Sequence, residues 1–303
     1  MNLLTICPAL AQSCIGKIQP TWVGTWPLMA INDGGFASFG KMNIDIDGYS
    51  RAYHSGNYKA GAIVHLCNAG RVYLADGSQY EGSENDLTCT GRFMSDFKRI
   101  ADAGWADSSI GAISWYGILG TGEATIHGKQ IRAVMPVTQL DGSGFFVSPT
   151  SLADPTVKDV RNQQRYLNPL RVPFSVVPAK ILPLGIKLGS FGVALDLKRN
   201  IPVPFVVGDI GPRIGEGSVA LARLVAGKQL SDLVTRETRN VGQVDQPRIL
   251  WVFFGGRSAN FDHNHEADLV AEANRTFQEW GGNARLTNCA AEWSKQLSGN
   301  AGK

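Results

Sequence analysis

From residue 144 onward the chain repeats one pattern, a short run of β-branched and aromatic residues closed by Pro, Gly or Asp. FFVSPTSL (145–152), VPFSVVPA (172–179), FGVALDL (191–197) and IPVPFVVG (201–208) all fit it and predict four short strands. Strands this short and this close together build a barrel. SVALARLVAG (218–227) then carries Val219, Leu221, Ala222, Leu224 and Val225 ahead of Gly227, a helix with a glycine at its C-cap. ILWVFFGG (249–256) is a further strand, and HEADLVAEANRTFQEWGG (265–282) a C-terminal helix. Upstream, AGAIVHL, RVYLA, GAISWYGIL and IRAVMPV predict strands. Between them FMSDFKRIADAGW places Phe93, Phe97, Ile100 and Ala101 at helical spacing. Residues 1–41 show no sustained period and read as an N-terminal arm or cap anchored by Trp22 and Trp26. The expected fold is mainly β (α+β): a barrel domain over 42–303, with an insertion at about 58–140 and flanking helices.

Composition narrows the class. The 303 residues are 44% hydrophobic and 18% charged with 35 Gly, enough for a full core and richer in turns than a helical bundle. The net charge of +3 comes from scattered residues, which gives no footing for nucleic acid. A polycation would be gripped only by a locally acidic cleft. Five cysteines (Cys7, Cys14, Cys67, Cys89, Cys289) lack CxxC spacing, so no zinc site is expected. Cys67 and Cys89 leave two readings open, a disulfide or a pair of buried thiols. The apolar start MNLLTICPALAQ has no basic n-region and is not read as a signal peptide. No run reaches the ~18 apolar residues of a membrane span.

The chemistry concentrates in IPVPFVVGDIGPRIGEGSVALARLVAG, where a strand ends at Gly208-Asp209 and a Gly/Pro loop leads to Glu216 at a helix start. Two carboxyl groups on one cleft are what glycosidic cleavage needs, one to protonate the leaving oxygen and one to activate water. The plainer reading makes Asp209 a turn cap and Glu216 a partner of the helix dipole. Gly208, Gly211, Pro212 and Gly215 tilt the balance, because such a run brings backbone close to a cleft. Asp45 and Asp47 alternate with Ile44 and Ile46, which on a strand places both carboxylates on one face. The alternatives there are a solvated Asp-Gly turn at Asp47 and an incomplete calcium loop. His263 and His265 in FDHNHE have no third metal ligand to join them and read as a polar turn before a helix. Trp115, Tyr116, Trp251 and Phe253 are candidate sugar-stacking faces, or core.

RVPFSVVP, VVGDIGPRIGEGSVALA and ILWVFFGG together resemble the catalytic core of glycoside hydrolase family 75, the chitosanases. MNIDIDGYSRAYH (42–54) and SPTSL (148–152) are similar to that family's DIDCDG and QTSF elements, with Ile46 in place of the cysteine and Pro149 in place of the Gln. The resemblance implies Asp209 and Glu216 as the catalytic pair of an inverting hydrolase. It places Asp45, Asp47, Thr150, Ser151, Gly208 and Gly211 along the substrate. The same loop is similar to that of the rare lipoprotein A lytic transglycosylases, which implies a six-stranded double-psi β-barrel and nominates Asp209 alone.

The expected substrate is therefore an amino-sugar polysaccharide, chitosan or else peptidoglycan, with no cofactor and no metal. Action on peptidoglycan would suit an antibacterial effector delivered without a signal peptide, with an immunity or secretion partner. A non-catalytic, expansin-like binding barrel is the alternative from another class. In either enzymatic case the protein is expected outside the cytoplasm.

Overall fold

FASFGKMNID forms a ten-residue strand, Phe36–Asp45, in the computed structural model of the chain, which describes residues 21–23, 26–31, 34–82 and 87–300. The hairpin of β1 (Thr21–Val23) and β2 (Trp26–Ala30) precedes it, so it is β3. The barrel thus begins inside the stretch expected to be an arm. Ala37, Ser38 and Gly40 blur the alternation there, which hid the strand from pattern reading. Residues 1–20, including the apolar start, lie outside the described residues, as do the side chains of Trp22 and Trp26.

The order continues with β4 (Gly70–Leu74), β5 (Gln79–Glu81), α1 (Met94–Asp102), β6 (Gly111–Trp115), β7 (Gly120–Ile126) and β8 (Lys129–Pro136). Then come β9 (Phe174–Pro178), β10 (Ser190–Asp196), β11 (Ile201–Gly211), β12 (Glu216–Ser218), α2 (Val219–Val225), β13 (Val244–Ser258), α3 (Glu266–Trp280) and α4 (Gly282–Asn300). Strands β3, β12, β9, β11, β10 and β13 pair in that order, and β13 pairs back onto β3. Six strands therefore close into a barrel without an open edge. The β3–β12 and β9–β11 contacts are parallel and the rest antiparallel, a mixed order compatible with a double-psi barrel.

β13 explains why its run is apolar without alternation. Leu250, Val252 and Phe254 pack with Phe277 and Trp280 of α3, while Ile249, Trp251 and Phe253 pack with Phe205, Val207 and Leu221 of α2. Both faces are covered, so both must be apolar. At about 1.5–3 kcal/mol for each large side chain buried, these six positions stabilise the barrel by on the order of 10 kcal/mol. The sequence pattern predicts one C-terminal helix and the structure has two, because Gly281 and Gly282, with φ of +122° and +57°, turn the chain and the helix restarts.

Residues 58–140 fold into two small sheets, β5-β4-β6 and β7-β8, with α1 beside them. Leu66, Phe93, Ile100 and Trp115 form their core, which continues onto Ile46, Leu170 and Val219 beneath the barrel strands. Two predicted strands are absent. AGAIVHL is irregular between 3₁₀ turns at Asn57–Ala60 and Leu66–Ala69, its Ile63 and Val64 N–H groups donating to the Arg51 and Ala52 carbonyls. FFVSPTSL makes only isolated bridges at Phe145 and Phe146, and Pro149 has no N–H to extend a ladder. The apolar residues of both are buried by packing, which mimics a strand signal. Cys67 and Cys89 form a disulfide (Cα–Cα 5.2 Å) that ties this region across 22 residues. Cys289 is disulfide-bonded as well. Among the described residues no helix is long and apolar enough to cross a membrane.

Candidate active site

Asp209 owes its orientation to a bulge. β11 pairs Val207 with Ser175 and then Asp209 with Val176, leaving Gly208 as the extra residue. Such an insertion bends the strand and re-aims the next side chain. Only glycine fits: a Cβ there would lie 2.6 Å from Leu167 Cδ1 and 2.7 Å from Phe174 Cγ. The Asp209 carboxylate is nearly buried, and its Oδ1 accepts hydrogen bonds from Ser151 N at 2.8 Å, Ile210 N at 2.7 Å and Ser151 Oγ. Burial pushes its pKa up, and these donors hold it back.

Glu216 opens β12 rather than a helix. Glu216-Gly217-Ser218 fills the gap between β3 and β9, with Glu216 opposite both Asn43 and Val176. The helix expected at Glu216 starts three residues later, capped by Ser218 Oγ, which accepts from Leu221 N at 3.2 Å. Gly215, at φ +112°, makes the turn into β12 that an L side chain would resist. Val176 is the register partner of Asp209 on one side and of Glu216 on the other. The two acids are thus two strand spacings apart on one row, about 9.5 Å between backbones. Glu216 Oε1 pairs with Arg213 Nε at 3.2 Å.

Asp45 ends β3 and Asp47 follows in the turn. Asp45 Oδ1 accepts from Asp47 N at 2.9 Å, while Asp47 Oδ1 accepts from Ser148 Oγ at 3.1 Å and Tyr53 OH at 3.4 Å. Both keep part of their surface open to the groove, yet protein surrounds them closely enough that desolvation is the leading cause of raised pKa values. For Asp45 the next cause is the charge of Asp209, with Glu216 also contributing; for Asp47 it is Asp45 and then Asp209. The solvated Asp-Gly turn is therefore overturned by the hydroxyl pair on Asp47.

All four carboxylates line one groove of about 820 Å³, a volume suited to a ligand site. Tyr53, Tyr116, Arg213 and Arg239 also line it. Gly211 lines it too, whereas Ser151 is not part of the lining and acts through its hydrogen bonds to Asp209. Thr150 does not face the groove. It is buried, donating to the Leu152 carbonyl at 2.7 Å and accepting from Leu167 N at 3.1 Å, so it fixes the loop that carries Ser151. Gly208 likewise shapes the strand instead of touching the cleft. Trp115, Trp251 and Phe253 are core, and Tyr116, 55% exposed, is the aromatic of that set with a free face. Tyr53 and Ser148, the partners of Asp47, carry no local signal that pattern reading detects. His263 and His265 lie in a 3₁₀ turn before α3, with His263 Nδ1 at 2.7 Å from Asp154 Oδ2 and His265 Nδ1 at 2.8 Å from Asp262 Oδ2.

No protein-family model matches this chain, and no curated protein is similar to it at a significant level.

Proposed function

We propose that the protein hydrolyses β-1,4 bonds of an amino-sugar polysaccharide, with Asp209 as general acid and Glu216 as general base. The observation that carries this reading is the shared register of the two acids on Val176, opening on one groove. Asp209 has one oxygen saturated by donors, so its proton resides on Oδ2 and passes from there to the glycosidic oxygen. Water held by Glu216 attacks the anomeric carbon from the opposite side, and its proton goes to Glu216. A backbone gap of about 9.5 Å accommodates the 6.5–9.5 Å carboxyl separation of an inverting enzyme more readily than the ~5 Å of a retaining one. Asp45, Asp47 and Glu81 make the groove acidic, which favours a cationic, chitosan-like chain over the peptidoglycan alternative. The Cys67–Cys89 disulfide fits action outside the cytoplasm.

The experiment is incubation of purified protein and its Glu216→Gln variant with soluble chitosan and with peptidoglycan, followed by mass analysis of products. Chitosan oligomers from the wild type alone support the reading. Anhydro-muropeptides, retained in the variant, would replace it with the single-aspartate transglycosylase, and binding without cleavage with a polysaccharide-binding barrel.

A further inference from the structure

His263 and His265 have no third ligand in the sequence around them, and the fold brings one from 109 residues away. Asp154 is fully buried and meets the chain just before α3. Its two oxygens have separate tasks. Oδ1 accepts from Thr156 N at 2.7 Å and Thr156 Oγ1 at 2.6 Å, which fixes the carboxyl plane. Oδ2 accepts from His263 N at 3.0 Å and stands 2.7 Å from His263 Nδ1. Asp262 is divided in the same way. Its Oδ2 is 2.8 Å from His265 Nδ1, while its Oδ1 accepts from Asn264 N at 2.9 Å and lies 4.0 Å from His263 Nδ1. One oxygen of each carboxyl group and a ring nitrogen of His263 all lie within 4.8 Å of one another. Among the described residues the ion-pair contacts of both carboxylates are to His263 and His265, with no Lys or Arg. Burial alone would raise the Asp154 pKa, but the Thr156 and His263 donors outweigh it and hold the carboxyl well below its usual range. The hydrogen bond from His265 lowers that of Asp262. Two negative charges therefore converge on one imidazole.

We propose that Asp154, Asp262 and His263 bind one divalent transition-metal ion of the zinc type, with His263 Nδ1 as the nitrogen ligand. An imidazole joined to carboxylates suits zinc and its neighbours, whereas calcium and magnesium take oxygen ligands. The ion takes the place of the Nδ1 proton, and the neutral ring then carries its proton on Nε2. Asp154 Oδ2 has two lone pairs, so exchanging one donor for the metal leaves its bond from His263 N in place. Ligand atoms about 2.1 Å from a tetrahedral zinc stand roughly 3.4 Å apart. His263 and Asp154 must therefore open by about 0.7 Å from their 2.7 Å contact, and Asp262 must close by about 0.6 Å from 4.0 Å. The Asp262 and His263 side chains are 47% and 22% exposed, which gives the ion an entry and a water its place as fourth ligand. Thr156 behind Asp154 and His265 behind Asp262 supply the hydrogen bonds that orient ligating carboxylates. The ion would join the start of α3 to the loop after Ser151. Leu152 N donates to the Gly208 carbonyl at 2.8 Å and Asp154 N to that of Arg165 at 2.7 Å, so the braced segment is the one whose Ser151 holds Asp209.

The test is calorimetric titration of Zn²⁺ into tag-free, chelator-treated full-length protein, with thermal melts on the same samples. One ion per chain is expected, and a free Zn²⁺ concentration of about 100 times Kd should raise Tm by roughly 5 °C. Asp262→Ala and His263→Gln leave the buried Asp154 in place and should each abolish the one-to-one isotherm while keeping the wild-type circular dichroism spectrum. His265→Gln should weaken binding about 10- to 100-fold, the effect of losing a group that orients a ligand. Absence of one-to-one binding in the wild type overturns the site. So does wild-type affinity in folded His263→Gln or Asp262→Ala, which would place the ion elsewhere. The titration uses no polysaccharide, so its outcome is separate from that of the glycosidase reading.

Discussion

Replacing Gly208 by alanine perturbs the site through packing alone, since the residue lines no part of the groove. The added Cβ would sit 2.6 Å from Leu167 Cδ1, 2.7 Å from Phe174 Cγ and 2.8 Å from Phe174 Cβ. Ordinary carbon contacts are about 3.5–4.0 Å, so three contacts are each about 1 Å too short. Leu167 and Phe174 are both fully buried and cannot swing into solvent. The strand must shift or the bulge must open, at a cost of about 1–3 kcal/mol for an overpacked core site. At about 2–4 °C per kcal/mol, that lowers Tm by roughly 2–12 °C. A displacement of about 1 Å in Asp209 should cut turnover on the polymer about 10²-fold. Differential scanning calorimetry and kcat on the same preparation measure both. Wild-type Tm together with wild-type activity in Gly208→Ala would refute the bulge as the device that aims Asp209.

Asp209→Asn and Glu216→Gln should each keep the wild-type fold by circular dichroism and lower kcat by about 10²- to 10⁴-fold, the contribution of one acid or base step. Burial first, and like charge second, raises the folded-state pKa of Asp45 above its unfolded value, so the folded state holds extra protons and stability falls as pH rises through the folded value. Asp45→Asn should therefore stabilise the protein at pH 7 by about 0.5–2 kcal/mol. That gain should vanish near pH 4, where the unfolded carboxyl also protonates, in urea titrations at the two pH values. Tyr116→Ala should raise KM on the polymer roughly 3- to 10-fold, the 0.5–1.5 kcal/mol of one aromatic face, with kcat little changed.

How much of this was legible in the sequence depended on whether the signal was local. The strand-loop pattern around GDIGPRIGEG pointed to Asp209 and Glu216 because glycine and proline mark backbone geometry directly. Alternation with Ile44 and Ile46 paired Asp45 with Asp47, and the structure brings all four acids to one groove. Long-range features were hidden. A three-residue strand such as β12 has no period of its own and exists only because β3 and β9 leave a slot for it. Thr150 and Ser151 are neighbours with identical chemistry, and only the fold decides that Ser151 reaches Asp209 while Thr150 turns inward. AGAIVHL reads as a strand because burial, not pairing, selects its apolar residues.

Inverting hydrolysis by Asp209 and Glu216 fixes the anomeric form of the first product. Proton NMR of a β-linked glucosamine oligomer mixed with fresh protein follows that form before mutarotation scrambles it. Initial release of the α-anomer is the predicted result. Initial β-anomer would contradict inversion, and anhydro-sugar ends would contradict hydrolysis itself.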